Sequence, residues 1–147
     1  MITDTTKQLK QTIDDILNRD IAAIDWATKA APDKWSKKQI IGHLIDSAQV
    51  ILQRFVRCTY EENFKLTYEQ VEWVDAAHYQ DTNVNELLGL WNLLNLQIIR
   101  VLENYPIHRL QAQCDNSKGE PSLHTVEWLA ADYVAHMQHH LKQLTEI

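Results

Sequence analysis

The chain has 147 residues, of which 14 are basic and 20 acidic, so its formal net charge is −6. A chain of this length buries roughly 70% of its unfolded surface in one core, and we expect residues 1–147 to form a single domain. The acidic balance and the scattered basic residues argue against a nucleic-acid partner. No apolar run approaches the ~18 residues that a membrane span requires.

Cysteine usage and the first residues of the chain indicate a compartment. Cys58 and Cys114 form neither a disulfide framework nor a CxxC pair. The opening "MITDTTKQLKQTIDDI" lacks the basic and apolar blocks of a secretory signal. We therefore expect a soluble, cytoplasmic protein with both cysteines reduced.

Only three glycines and three prolines occur in the chain, which favours long helices over a turn-rich sheet. The first predicted helix starts near Thr5, where "TTKQ" places Gln8 at capping-box spacing. Apolar residues continue at helical intervals as far as Ile24, and this helix is predicted to end before Pro32.

The second predicted helix has the clearest start signal. In "KWSKKQI", Ser36 can cap the helix and Gln39 can reach back to it. Trp35 and Ile40 occupy the two positions of a hydrophobic staple. This helix is predicted to run to about Cys58.

Two further helices are predicted, and no fifth helical pattern is visible. The third begins at "NVNE" with Asn83 as its cap and continues to Tyr105, before Pro106. The fourth follows "EPS", with Ser122 as its cap, and carries apolar residues at helical spacing to Leu144.

The connection between the second and third helices, "TYEENFKLTYEQVEWVDAAHYQDT", is more than twenty residues long. Loops in helix bundles are usually ~2–8 residues. A segment of this length is either a functional lid or a crossover that returns the chain to the other end of the bundle. The stretch from Pro106 to Pro121 is also irregular and contains no motif.

The stretch "HMQHHLKQL" places three histidines in the fourth helix. At about 100° per residue, His136 and His140 fall within the apolar stripe, whereas His139 lies outside it. The inward pair at i and i+4 has the spacing that lets two ring nitrogens reach one metal ion. The alternative is that both are hydrogen-bonded core residues.

A third candidate ligand is His43 in "IIGHLIDSAQ", where Gly42 removes side-chain bulk beside it. His43 lies ~10 Å from the start of its helix, whereas the inward pair lies near the end of the fourth helix. His43 and the inward pair lie at the same level along the bundle if the second and fourth helices are antiparallel. That arrangement requires the second and third helices to be parallel, which the long crossover permits.

The segments "KWSKKQIIGHLIDSAQ" and "TVEWLAADYVAHMQHHLKQL" together resemble the DinB/YfiT superfamily of metalloenzymes. The hallmark of that family is a Trp-Ser helix start leading to a histidine, followed late in the chain by a histidine pair. The resemblance covers nearly the whole chain. It implies an all-α four-helix bundle with a long crossover between helices two and three, and often a homodimer.

The resemblance also implies that His43, His136 and His140 bind a divalent metal such as zinc or nickel. Imidazole itself suits zinc, nickel, copper and iron. Some family members are thiol S-transferases that use bacillithiol or mycothiol, and others are metal-dependent hydrolases. The fold therefore carries over better than the chemistry.

Three functional hypotheses follow. The first is hydrolysis of a small molecule by a water that an open tri-histidine metal site activates. In this hypothesis Asp46, one turn after His43, orients a ligand or acts as a base, or is only a solvated helix-face carboxylate. Gln143, three residues after His140, either supports the metal ligands from behind or has no role in the site.

The second hypothesis is thiol transfer, with a pocket for a low-molecular-weight thiol built by "NFKLTYEQVEWVD". Tyr68, Trp73 and Asp75 would line its mouth, unless the aromatics form a small satellite core. The third hypothesis is a non-catalytic interaction module, in which the histidines and tryptophans only pack. The remaining histidines at 78, 108 and 124 have no partner spacing and are not assigned to the site.

Overall fold

The structure is a computed structural model that describes residues 2–146. Its elements are five α-helices and three short strands. The helices are α1 (Ile2–Leu17), α2 (Lys37–Arg57), α3 (Gln70–Ala77), α4 (Val84–Glu103) and α5 (Val126–Thr145), and the strands are β1 (Phe64–Lys65), β2 (Gln113–Asp115) and β3 (Leu123–Thr125).

The four long helices form a bundle in which α2 packs against α4 and α5, and α1 packs against the same two helices. Their apolar stripes meet in one core. The largest fully buried side chains of that core include Phe55, Trp91 and Met137. The predicted four-helix bundle is confirmed.

The crossover gives these helices their predicted directions. The hydroxyl of Tyr105, just after α4, donates to the carbonyl oxygen of Phe55 near the end of α2 at 2.6 Å. These two helices therefore end at the same level and run parallel. Lys37 at the start of α2 donates to the carbonyl oxygen of Glu146 beyond the end of α5 at 3.1 Å, so α2 and α5 are antiparallel.

The helix start that positions the site is the predicted one. Ser36 accepts from the backbone N–H of Gln39, while the Gln39 side chain accepts from the backbone N–H of Ser36. This reciprocal pair satisfies two backbone donors that an uncapped helix leaves free. Asn83 caps α4 as predicted, by accepting from the N–H of Asn85.

The first helix was predicted too long and with the wrong start. Thr5 lies inside α1, which already includes Ile2 and ends at Leu17. The next apolar residues form a short 3₁₀ turn, Ile21–Ala23. That turn is held because the Trp26 indole N–H donates to the carbonyl oxygen of Ile21. The chain therefore buries Trp26 in this turn and does not continue α1 through Ile24.

The start of the last helix also differs from its prediction. Thr125, not Ser122, caps α5 by accepting from the N–H of Trp128. The residues between them form β3, which pairs antiparallel with β2. The N–H of Ser122 donates to Oδ1 of Asp115 at 3.1 Å, so Ser122 belongs to the turn that joins β2 to β3 and not to the start of α5.

The absence of a fifth helical pattern was a wrong prediction, because α3 lies within the crossover and packs on α2. The two irregular segments of the sequence also meet. β1 from the crossover pairs in parallel with β2 from the segment after α4. The sheet order is β1-β2-β3. Within residues 2–146, no helix is sufficiently long and apolar to span a membrane.

Candidate metal centre

Three histidine side chains from two antiparallel helices meet on the α2–α5 face of the bundle. His43 comes from the first third of α2, whereas His136 and His140 come from adjacent turns of α5. Their ligand atoms all lie within 4.8 Å of one another. His43 is buried, the α5 pair is half-buried, and His139 between them is exposed.

The ring nitrogens that face each other are all Nε2. Nε2 of His136 lies 3.4 Å from Nε2 of His43 and 3.1 Å from Nε2 of His140. Two nitrogens bound to one tetrahedral metal at ~2.1 Å lie about 3.4 Å apart. The spacing of these rings therefore fits ligands of a common ion.

The electrostatics of the cluster favour neutral rings. Burial, together with the neighbouring rings of His136 and His140, lowers the pKa of His43 to about 4. Burial and the ring of His140 also lower the pKa of His136. Because their pKa values are lowered, both rings are neutral near neutral pH. A neutral imidazole is the form that binds a metal.

Contacts behind the rings orient two of them. Nδ1 of His140 lies 2.9 Å from Oε1 of Gln143, an acceptor that holds the proton on Nδ1 and leaves Nε2 with a free lone pair. The Trp35 ring packs on His43 at a centroid distance of 5.1 Å. Nδ1 of His43 is buried without a hydrogen-bond partner in the described chain. Trp35, which precedes the capped start of α2, thus fixes the far side of the His43 ring by packing.

Asp46 lies on α2 one turn after His43 and is buried. The Tyr79 hydroxyl donates to Oδ1 of Asp46 at 2.5 Å, and Oδ2 has no partner among residues 2–146. Burial raises the pKa of Asp46 to about 6, although the hydrogen bond from Tyr79 opposes this shift. Asp46 is therefore not a solvated helix-face residue.

The ring of Tyr79 lies directly on the backbone of α2 at Gly42. A Cβ atom at Gly42 would lie 2.1 Å from Cδ2 of Tyr79 and 2.3 Å from its Cγ. Glycine is therefore required because the crossover approaches the helix here. The sequence indicated a lack of bulk beside His43, and the side chain that uses this space is Tyr79.

Two clefts open beside the histidines. The first, of about 220 Å³, lies between α2 and α5 and includes Ser47, Arg54, Tyr68 and His136 in its lining; we call it the Arg54 cleft. The second, of about 380 Å³, includes Trp35, Val71 and His140; we call it the Trp35 cleft. A small molecule can therefore approach the cluster from either side.

The predicted residues of the crossover are only partly at these clefts. Tyr68 lines the Arg54 cleft, and its hydroxyl lies 2.9 Å from Oγ of Ser47. Trp73 packs edge-on against Tyr68 at a centroid distance of 5.6 Å. Asp75 is exposed on α3 and lines neither cleft.

The unassigned histidines lie outside the cluster. His124 stacks on Trp128 at a centroid distance of 3.6 Å, and His78 adopts a left-handed conformation at the end of α3. His108 is exposed in a 3₁₀ turn. Sequence reasoning missed Tyr79 and Arg54. No local signal marks Tyr79, and Arg54 is marked only by its position on the same helix face as Ser47.

Comparison with known proteins supports the likeness that the motifs indicate. The family model described as the DinB superfamily matches residues 6–144. No curated protein sequence matches the chain.

Two solved structures share the fold. YfiT from Bacillus subtilis, described as a probable metal-dependent hydrolase with an unusual four-helix bundle topology, has 20% identity and a TM-score of 0.74 over 98% of this chain and 79% of its own. A histidine-to-alanine mutant of mycothiol-dependent maleylpyruvate isomerase has 8% identity and a TM-score of 0.79. All of this chain is covered in that match, and it spans 62% of the isomerase chain. With the family model matching nearly its whole length, the chain belongs to the DinB superfamily.

Proposed function

We propose that the protein is a metal-dependent enzyme that hydrolyses a small molecule, with His43, His136 and His140 as ligands of zinc or nickel. The observation that carries the proposal is the convergence of three Nε2 atoms, with 3.4 Å and 3.1 Å between neighbours. When bound, a divalent ion would act as a Lewis acid and lower the pKa of a water molecule towards neutral.

His43, His136 and His140 would hold the ion with three neutral ligands and would leave room for water or substrate, the pattern of catalytic rather than structural sites. The protein's own contribution is the orientation of its rings. Gln143 holds one tautomer of His140, and packing of Trp35 holds His43. The clefts beside His136 and His140 give substrate access to this position.

Asp46 contributes by positioning in this proposal. It lines neither of the two clefts beside the histidines, and its hydrogen bond from Tyr79 ties the crossover to α2. Its carboxylate lies one helical turn from His43 and holds that part of the helix against the crossover. We therefore expect Asp46→Asn to change both the metal affinity and the activity of the protein.

Hydrolysis is tested with zinc-loaded and nickel-loaded protein against a panel of activated esters, amides and phosphoesters. We expect turnover of at least one class by the parent and by His139→Ala, whose ring is exposed. We expect none with His136→Ala. Equal turnover by the His136 and His139 variants would exclude the cluster as the catalytic site.

Thiol transfer is the second candidate function, and the Arg54 cleft favours it. This cleft extends from His136 to Tyr68, so there is room for a thiol ligand beside the cluster. One structure with this fold is described as mycothiol-dependent. A panel of low-molecular-weight thiols with an electrophilic acceptor separates the two candidates. Thiol consumption that needs His136 supports transfer, and its absence with every thiol in the panel supports hydrolysis.

A homodimer is part of the same proposal. Leu90, Leu93 and Leu96 are exposed on α4, and burying a shared apolar face is the usual gain in association. Sedimentation analysis is expected to give a dimer for the parent and a monomer for Leu93→Glu. A monomeric parent would remove this element of the proposal.

A further inference from the structure

The Arg54 cleft contains a half-buried cation that the proposed chemistry does not use. Arg54 lies eleven residues after His43 on α2, and its guanidinium lies in the same cleft as His136. Burial lowers the pKa of Arg54. This direction shows that its charge is partly removed from water.

The protein supplies this charge with neutral hydrogen-bond partners and with a longer-range attraction from Asp132. Nε and Nη2 of Arg54 both donate to the carbonyl oxygen of Leu66, at 3.2 Å and 2.5 Å. No carboxylate within residues 2–146 lies at ion-pair distance from it. Asp132 also lines the cleft but lies beyond that distance.

Two other arginines of the same region are paired. Arg57, one turn further along α2, binds Glu61 at 2.7 Å and packs on the Phe64 ring. Arg109 binds Glu62 at 3.0 Å. A half-buried guanidinium that has no carboxylate at ion-pair distance is incompletely compensated, so an anion bound beside Arg54 would be attracted to it.

Apart from Asp132, the polar lining suits an anion. Asn116 and Gln70 line the same cleft as Arg54, and so do Ser47 and Tyr68, whose hydroxyl oxygens lie 2.9 Å apart. An adjoining depression shares four of these residues and reaches Lys118. Hydroxyl and amide donors with a planar guanidinium are the groups that bind carboxylate and phosphate oxygens.

We propose that Arg54 binds an anionic group of the substrate, a carboxylate or a phosphate, while the reacting end of the same molecule lies at the three histidines. The second half of this statement rests on the proposed function. Eleven residues of α-helix separate the Cα atoms of His43 and Arg54 by about 16 Å. Because Arg54 and His136 line the same cleft, the ligand class is an anionic small molecule that can contact both side chains.

The test measures anion binding by the metal-free protein, in which the anion cannot bind to an ion at the cluster. Glutarate and inorganic phosphate are titrated separately by calorimetry, so that the two anion chemistries are distinguished. The variants are Arg54→Gln and the matched Arg57→Gln, which removes the same charge from the same helix outside the cleft. Thermal melts check that each variant folds.

We expect the parent to bind at least one of the two anions at millimolar concentrations. Arg54→Gln is expected to weaken that binding about tenfold or more, and Arg57→Gln to leave it within about twofold. Arg54→Lys keeps the charge without the planar fork and should bind with intermediate affinity, which separates anion recognition from loss of folding. Equal affinity in the two Gln variants, or no binding of either anion by the parent, overturns the proposal.

This inference and the metal proposal fail independently. Arg54→Gln is expected to keep the metal content of the parent, because Arg54 is not one of the three candidate ligands. His136→Ala is expected to keep anion binding in the metal-free state. Loss of anion binding with normal metal content in Arg54→Gln therefore identifies the anion subsite and leaves the metal assignment unaffected.

Discussion

Two buried aspartates of this protein have opposite environments. Asp115, the last residue of β2, accepts hydrogen bonds at Oδ1 from the N–H and hydroxyl of Ser117 and from the N–H of Ser122. Asp46, beside His43, accepts one hydrogen bond from Tyr79, and its other oxygen is buried without a partner in the described chain. The first carboxylate accepts three hydrogen bonds, whereas the second accepts one and has a buried oxygen without a partner among residues 2–146.

The pKa values follow these contacts. Hydrogen bonds lower the pKa of Asp115 to about 2, and the bond from the Ser117 side chain contributes most to this shift. Burial raises the pKa of Asp46 to about 6. Local hydrogen bonds from nearby N–H and hydroxyl groups are typical of a residue that holds a turn, whereas unsatisfied buried groups concentrate at functional sites. The contrast therefore separates a structural aspartate from one that belongs to the candidate site.

The largest expected effect comes from closing the space that lets Tyr79 reach Asp46. Gly42→Ala places a methyl group against the Tyr79 ring, and such overpacking is expected to lower the unfolding free energy by about 3 kcal/mol. Denaturant melts measure this change. Gly89→Ala is the matched control, because a Cβ there meets nothing within 4 Å and should stabilise α4 by about 0.5–1 kcal/mol. Equal effects of the two variants would contradict the contact.

The next effect is a pH-dependent stability from Asp46. Because the pKa of Asp46 is raised in the folded state, the unfolded chain loses this proton at a lower pH than the folded protein does. The carboxyl therefore destabilises the fold as pH rises from about 4 to about 6. Asp46→Asn removes this cost. In the metal-free protein, we expect the variant to gain about 2–3 kcal/mol over the parent between pH 4 and pH 7. Parallel stability curves of parent and variant would show that Asp46 is not desolvated.

The smallest effect should have the opposite sign. The pKa of Asp115 is lowered in the folded state, so its charge stabilises the fold above the unfolded pKa, and that stability is lost as pH falls towards about 2. Asp115→Asn is therefore expected to destabilise the protein at pH 7 and to converge with the parent under strong acid. Melts over the same pH series measure it, and a stabilising effect at neutral pH would remove the contrast with Asp46.

Local signals in the sequence predicted the parts of the fold that local chemistry determines. The capping box at Ser36 and the cap at Asn83 lie where their side chains predict helix starts. The angular positions of the α5 histidines predicted an inward pair and an exposed His139, as observed. The crossover length predicted the parallel direction of α2 and α4, which brings His43 to the same level as that pair.

The missed features depend on contacts between distant parts of the chain. β1 forms because it pairs with β2 from a segment after α4, and strands of two or three residues carry no periodic pattern of their own. Tyr79 lies more than thirty residues from its partner Asp46. The end of α1 at Leu17 follows from the burial of Trp26, a tertiary effect that outweighs the helical spacing of Ile21 and Ile24.

The most direct test of the metal assignment is the transition-metal content of the purified parent, His136→Ala and His139→Ala. The two variants differ only in which adjacent turn of α5 loses a ring, and only His136 has Nε2 within 3.4 Å of a ring nitrogen of α2. We predict about one equivalent of metal per chain in the parent and in His139→Ala, and none in His136→Ala. Metal retained by His136→Ala, or no metal in the parent after reconstitution, would contradict the account and favour a bundle whose histidines only pack.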